Sequence, residues 1–169
     1  MTNQLYTRAP QVITDRYYAL QFISDRKDYH PEANVQDHID IVTRRCMATG
    51  NSNLVMTAIL HDIMKLDTAT ININTTYITS PGHEKAAADL IIDNFQVQDW
   101  IRDNGADFGA VLFVVRYHMR MKTFDDMSGK KQNELKRQQH FKLLHAFRYA
   151  DSMLISDTDA IFMMNQILK

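Results

Sequence analysis

Asn53-Leu54-Val55-Met56-Thr57-Ala58-Ile59-Leu60-His61-Asp62-Ile63-Met64-Lys65 decides how this chain is read. Leu54, Ala58 and Ile59 recur at helical spacing, so the stretch predicts a helix over residues 53–65 with its apolar face turned inward. That helix carries His61-Asp62, an imidazole beside a carboxylate, toward its end. These ligand types suit divalent transition metals such as Zn, Mn, Ni, Co or Fe. A His-Asp pair occurs by chance in many chains, and its weight here comes from its surroundings.

Upstream, residues 34–49 read as a helix with Val35, Ile39 and Val42 on one face, and His38 lies beside that face. Gly50 ends it. A first helix is predicted over residues 13–26, and His30-Pro31-Glu32 breaks the chain between the two. Downstream, residues 68–79 are rich in β-branched side chains and read as an extended loop or small hairpin. Helices follow over residues 83–95, 97–104 and 106–121. A polar loop centred on residues 125–131 leads into one long helix over residues 133–156, and residues 159–168 close the chain. On the long helix Asp151 stands among Phe147, Tyr149, Ala150, Met153 and Leu154, and a carboxylate buried there needs a partner or a metal. The expected fold class is all-α, one helical bundle over residues 1–169 with its core at about 29–157 and the metal site between helices.

Length and composition are compatible with this. The 169 residues amount to one domain at ~150 residues per domain. A net charge of −1 argues against a chain that coats nucleic acid by charge alone. One cysteine, Cys46, excludes an intrachain disulfide, and its apolar helical neighbours predict a buried, inert thiol. The polar start of the chain lacks a signal-peptide core and no apolar run is long enough to span a bilayer, so a cytoplasmic protein with no membrane partner is expected. The charge is uneven. Residues 116–148 hold nine basic and three acidic side chains, a net +6 that leaves −7 for the rest. Such a segment is either a solvated helix face or a surface that attracts phosphate.

His38, His61-Asp62 and Asp151, in that order in an all-helical chain, resemble the HD superfamily of metal-dependent phosphohydrolases. More narrowly, the chain looks like the HD domain of bacterial CCA-adding tRNA nucleotidyltransferases. The text that carries this is His30-Pro31-Glu32, His38, Ala58 to Lys65, Gly82-His83-Glu84, Tyr117-His118 and Tyr149-Ala150-Asp151. The resemblance implies that His38, His61, Asp62 and Asp151 bind one divalent ion (Ni, Mn, Co, Mg, Zn or Fe). It implies that Asp62 also positions a water. Lys65 matches the lysine of the family's His-Asp-x-x-Lys motif and would neutralise phosphoryl charge. Met64 stands where many members have glycine, which bears on where Lys65 points.

His83 and His118 match histidines used in the family for a second metal or for substrate phosphate, and His118 could serve as the acid for the leaving group. Arg116, Arg120 and Lys122 share the helix of His118 and are candidates for phosphate contact. Arg44 and Arg45 are weaker ones. The implied reaction is hydrolysis of a nucleotide phosphoester, foremost a 2′,3′-cyclic phosphodiester, a 2′-nucleotide or another phosphomonoester. A 5′-nucleotidase or nucleotide triphosphohydrolase is the neighbouring expectation. The substrate would be a nucleotide, a phosphorylated small molecule or an RNA end. Two readings from other classes stand beside it: a di-iron oxygenase using His38, His61, Asp62, His83, His118 and Asp151, and a non-catalytic nucleotide-binding or RNA-end-binding module. The five glycines form neither a phosphate loop nor GxGxxG, and the ten methionines read as adaptable core.

Overall fold

The computed structural model describes residues 8–24, 32–71 and 78–169. His30 and Pro31 of the upstream break lie outside them, as do Asp25 and Arg26 at the end of the first predicted helix. Nine α-helices are present among the described residues: α1 (Gln11–Ala19), α2 (Val35–Met47), α3 (Ser52–Leu60), α4 (His83–Asp93), α5 (Phe95–Asp103), α6 (Phe108–Lys122), α7 (Gly129–Lys136), α8 (Phe141–Asp151) and α9 (Asp157–Leu168). Short 3-10 turns follow α1 at Leu20–Phe22 and α6 at Phe124–Asp126. The β-branched segment contributes a small antiparallel pair, β1 (Thr70–Ile71) with β2 (Ile78–Thr79), in which Thr70 faces Thr79. The protein is an all-α bundle, as the periodicity predicts.

Side-chain caps start most of the site-bearing helices. Asn34 accepts from the Asp37 amide at 2.9 Å, Asn51 from Leu54 at 3.2 Å and Asp107 from Ala110 at 2.6 Å. Each cap satisfies an amide that the helix itself cannot. Gly82 starts α4 at φ 75°, a left-handed conformation that glycine adopts freely and that sets the direction of His83.

Helices α3 and α6 divide the interior. Ile59, Leu60, Val111 and Val115 look into one apolar cluster with Ile13, Ile39 and Ile91. Leu54, Ala58, Ala110 and Val114 look into a second with Val42, Leu144 and Phe147. Helices α2 and α8 pack around α3, and α4 and α8 around α6. The C-terminal ends of α3 and α6 therefore meet the flanks of both clusters.

Several boundaries differ from the sequence expectation: the first helix ends at Ala19, with a 3-10 turn and extended backbone at Ile23 after it, and α7 begins at Gly129, inside the segment expected to be a polar loop. The helix over residues 53–65 stops at Leu60, and the chain continues in tight turns in which the Lys65 amide bonds the Asp62 carbonyl at 3.0 Å. The long helix over residues 133–156 is two helices. The stretch Lys136-Arg137-Gln138-Gln139-His140 offers little to bury, so the chain turns there, and Phe141 restarts the helix with its amide on the Gln138 carbonyl. The second helix ends at Asp151. Leu154, expected along the helix, lies in the loop beyond it and is 76% exposed.

Candidate metal centre

Seven residues converge where α2, α4, α6 and α8 meet the turn after α3. Helix α2 supplies His38, the turn supplies His61, Asp62 and Lys65, and α4, α6 and α8 supply His83, His118 and Asp151. All seven are buried.

Their donor atoms form two groups. His38, His61 and Asp151 each offer an atom within 4.8 Å of the others, and so do Asp62, His83 and His118. In the first group His38 Nε2 lies 3.3 Å from His61 Nε2 and 3.0 Å from Asp151 Oδ1. In the second, His83 Nε2 lies 3.3 Å from His118 Nε2 and 3.0 Å from Asp62 Oδ1. Asp62 joins the two, because its Oδ2 lies 3.2 Å from His61 Nε2.

The far nitrogens explain why the near ones converge. His61 Nδ1 bonds the Ala58 carbonyl at 2.9 Å, His83 Nδ1 the Ser80 carbonyl at 2.7 Å and His118 Nδ1 the Val115 carbonyl at 2.8 Å. A carbonyl only accepts, so Nδ1 carries a proton in each ring, and in the neutral ring Nε2 is left with its lone pair facing the centre. His38 Nδ1 meets Glu32 Oε1 at 2.8 Å to the same effect. The centre is thus rimmed by imidazole lone pairs and carboxylate oxygens, all acceptors, which only protons or cations can hold together. Ligand bonds of about 2.0–2.1 Å place neighbouring donor atoms about 2.8–3.0 Å apart at octahedral angles and about 3.3–3.4 Å apart at tetrahedral ones. The 3.3 Å nitrogen separations match that spacing. These buried groups could hold a metal ion.

In the protein without metal, protons do part of this work. Burial opposes a charge on His61, but the Asp62 and Asp151 carboxylates outweigh it and push its pKa up to about 9. His38 is also raised, with burial overcome by Asp151 and Glu32. Asp62 and Asp151 sit well below the usual carboxylate range despite burial, Asp62 through His61 and Lys65, Asp151 through Lys122 and its histidines. Burial pushes His118 down, which keeps it neutral.

The structure brings together His38, His61, Asp62, Lys65, His83, His118 and Asp151, as the sequence suggests. Lys65 Nζ lies 2.9 Å from Asp62 Oδ2, while the neighbouring Met64 points elsewhere, its sulfur accepting from Arg16 Nε at 3.1 Å. Glycine's absence before Lys65 does not remove the lysine from the site. His118 Nε2 faces Asp62 at 3.7 Å and His83 at 3.3 Å.

Arg116 and Arg120 are placed elsewhere. Arg116 pairs with Asp89 at 3.5 Å, and Arg120 rests on the Tyr117 ring and lines a separate cavity. On a helix, positions two apart point about 200° away from each other, so neither can share the face of His118. Lys122, four residues on, does share it: its Nζ lies 3.6 Å from Asp151 Oδ2. Arg148 precedes Asp151 by three and borders the same space. Of the three basic candidates near the end of this helix Lys122 alone reaches the centre, and spacing from Asp151 was the signal that would have found Arg148. Arg44 is exposed, 3.9 Å from Asp157. Arg45 is buried and gives its guanidinium to the carbonyls of Ala150, Ser152 and Ile155.

A cavity of about 670 Å³ opens on the centre, bordered by Lys65, His83, His118, Lys122, Arg148 and Asp151 on its polar side. Phe147 lines it too and packs edge-on against His61, with ring centroids 5.2 Å apart. No helix among the described residues is long and apolar enough to cross a membrane. Comparison with protein-family models, with curated proteins and with solved structures finds no match.

Proposed function

We propose that the chain is a metal-dependent phosphohydrolase of the HD type that uses two divalent ions. The observation that carries this reading is the Asp62 carboxylate, whose two oxygens face different histidine groups beside a cavity rimmed by Lys65, Lys122 and Arg148. His38, His61, Asp62 and Asp151 would hold one ion, and Asp62, His83 and His118 the other. Ions held there supply Lewis acidity and an activated water.

The protein's own groups do the rest. The carbonyls of Ala58, Ser80 and Val115 and the Glu32 carboxylate keep four imidazoles aimed inward. Lys65 and Lys122 balance the buried carboxylates and present cations to the phosphoryl oxygens as charge moves onto them. Phe147 keeps water from the back of the ligand rings. In the reaction a water oxygen bonds to phosphorus and the bond from phosphorus to the leaving oxygen breaks. One water proton ends on the leaving oxygen and the other stays with phosphate.

The pairing of His83 with His118 also fits the di-iron oxygenase reading, which uses the same six ligands. The cationic rim favours a phosphorylated substrate. The deciding experiment strips the protein with chelator and restores Mn, Ni, Co, Mg, Zn or Fe singly. It then measures phosphate release from 2′,3′-cyclic AMP, 2′-AMP, 3′-AMP, 5′-AMP, dATP and phenyl phosphate, with Asp62→Ala as control. Metal-dependent release that the control lacks supports the proposal. Iron-dependent oxygen consumption without phosphate release would replace it by the oxygenase, and tight metal binding with neither would leave a binding module.

A further inference from the structure

The cavity beside the candidate metal centre is lined largely by hydrocarbon. Met121, Leu144 and Phe147, all buried, line it together with Met119, Met153 and Leu154. Leu154 is 76% exposed while bordering this space. Leu154 thus carries the apolar lining out to the mouth of the cavity, where an apolar ligand would cover it.

Most polar side chains of the same wall are already engaged. His83, His118 and Asp151 belong to the two donor groups. The Ser80 hydroxyl donates to the Lys65 carbonyl at 2.8 Å, and the Thr79 hydroxyl lies 3.2 Å from that of Thr70. Among the described residues the lining includes no asparagine, glutamine or glutamate. A base is read through side chains that match its hydrogen-bonding edge, and a sugar diol needs an acceptor of similar kind. Among the described residues the wall offers Lys65, Lys122 and Arg148 for phosphate, each also near a carboxylate, and mostly hydrocarbon beyond them.

We infer that the substrate is a phosphomonoester whose non-phosphate part is an apolar chain or ring, selected by burial against Met119, Met121, Phe147, Met153 and Leu154. This rests on the phosphohydrolase reading and narrows its substrate class. The cavity's volume lies within the usual range for ligand pockets and leaves room for such a group beside the phosphate. The products are inorganic phosphate and the corresponding alcohol or phenol, formed by the bond exchange described above.

The test compares kcat/KM of the metal-loaded protein for methyl, butyl, hexyl, octyl and phenyl phosphate with that for 2′-AMP, 3′-AMP, 5′-AMP and their guanosine and cytidine counterparts. Burial of each methylene should raise kcat/KM by up to about fourfold. The alkyl series should therefore climb steeply with length and overtake the nucleotides, which should differ little from base to base. In Leu154→Ser the ratio of octyl to methyl phosphate should fall severalfold. Octylphosphonate, which cannot be hydrolysed, should bind more tightly than methylphosphonate by calorimetry. A flat alkyl series, or a nucleotide preferred with clear choice among bases, overturns this inference and leaves the phosphohydrolase standing. Phosphate release from none of these compounds, nor from 2′,3′-cyclic AMP or dATP, with any metal, overturns both.

Discussion

Asp62 Oδ1 lies 3.0 Å from His83 Nε2 while Asp62 Oδ2 lies 3.2 Å from His61 Nε2, so one carboxylate ties the two halves of the centre together. Removing it should disable both halves, whereas removing His83 should disable one. Metal content per chain, measured after equilibration and desalting, is expected to drop at both positions in Asp62→Asn and at one in His83→Ala. Asp62 also neutralises the buried Lys65, so circular dichroism should accompany each measurement. Equal losses in the two variants would mean that the groups do not act as two sites.

Arg45 acts at a distance from the centre through the loop after α8. Its guanidinium reaches the carbonyls of Ala150, Ser152 and Ile155 at 2.7–3.0 Å and the Asp157 carboxylate at 2.7 Å. It closes the end of the helix that carries Asp151 and shapes the loop that carries Met153 and Leu154. Arg45→Met leaves several buried carbonyls without a donor and should cost about 2–4 kcal/mol, since each unsatisfied group costs about 1–3 kcal/mol with partial relaxation. Asp157→Ala removes a half-exposed partner and should cost under about 1 kcal/mol. Thermal unfolding measures both. If positioning of Asp151 matters, metal affinity should also weaken in Arg45→Met and recover in part in Arg45→Lys, a pattern that loss of stability alone would not give.

Glu32 orients His38 from behind, at 2.8 Å from its Nδ1. Partners of this kind usually contribute about 10–100-fold to metal affinity. Glu32→Gln keeps a hydrogen-bond acceptor and should weaken binding mildly. Glu32→Ala should weaken it by about tenfold or more. Competition against a chelating dye reads the difference, and unchanged affinity in Glu32→Ala would remove Glu32 from the site.

Most of the candidate ligand set was legible because it sits on short, ordered stretches. His61-Asp62 follows an apolar helix, and His38 and Asp151 stand beside apolar residues where a lone charge would be costly. The substrate side was less legible. Arg116 and Arg120 are close to His118 in sequence yet point away from it, and charge totals along a segment do not register helical phase. The break between α7 and α8 was hidden because polar residues around Arg137 are as acceptable in an exposed helix as in a turn. Arg45 looked like a phosphate ligand because sequence does not reveal that three carbonyls from the far end of the chain would surround it.

Protons and a metal held there would compete for the same lone pairs, which gives the centre a pH dependence of definite sign. In the metal-free protein His61 titrates at about 9, above its ordinary value of about 6.5. A raised pKa stabilises the folded state fully below about 6.5, and that stability is lost as pH rises through about 9. Asp62 and Asp151 are depressed, so their contribution is present above about 4 and is lost only toward acid pH. Stripped protein should therefore be most stable at mildly acidic pH and weaken toward about pH 9 as the protons that separate the acceptors leave. Loaded protein has cations in their place and should not weaken over that range. The difference in Tm between loaded and stripped protein is expected to widen from about pH 6 to about pH 9, and metal binding at neutral pH should release protons, seen as a calorimetric heat that changes with the buffer's ionisation enthalpy. A gap that stays constant or narrows, with no proton release, would show that metal does not occupy the space between His38, His61 and Asp151.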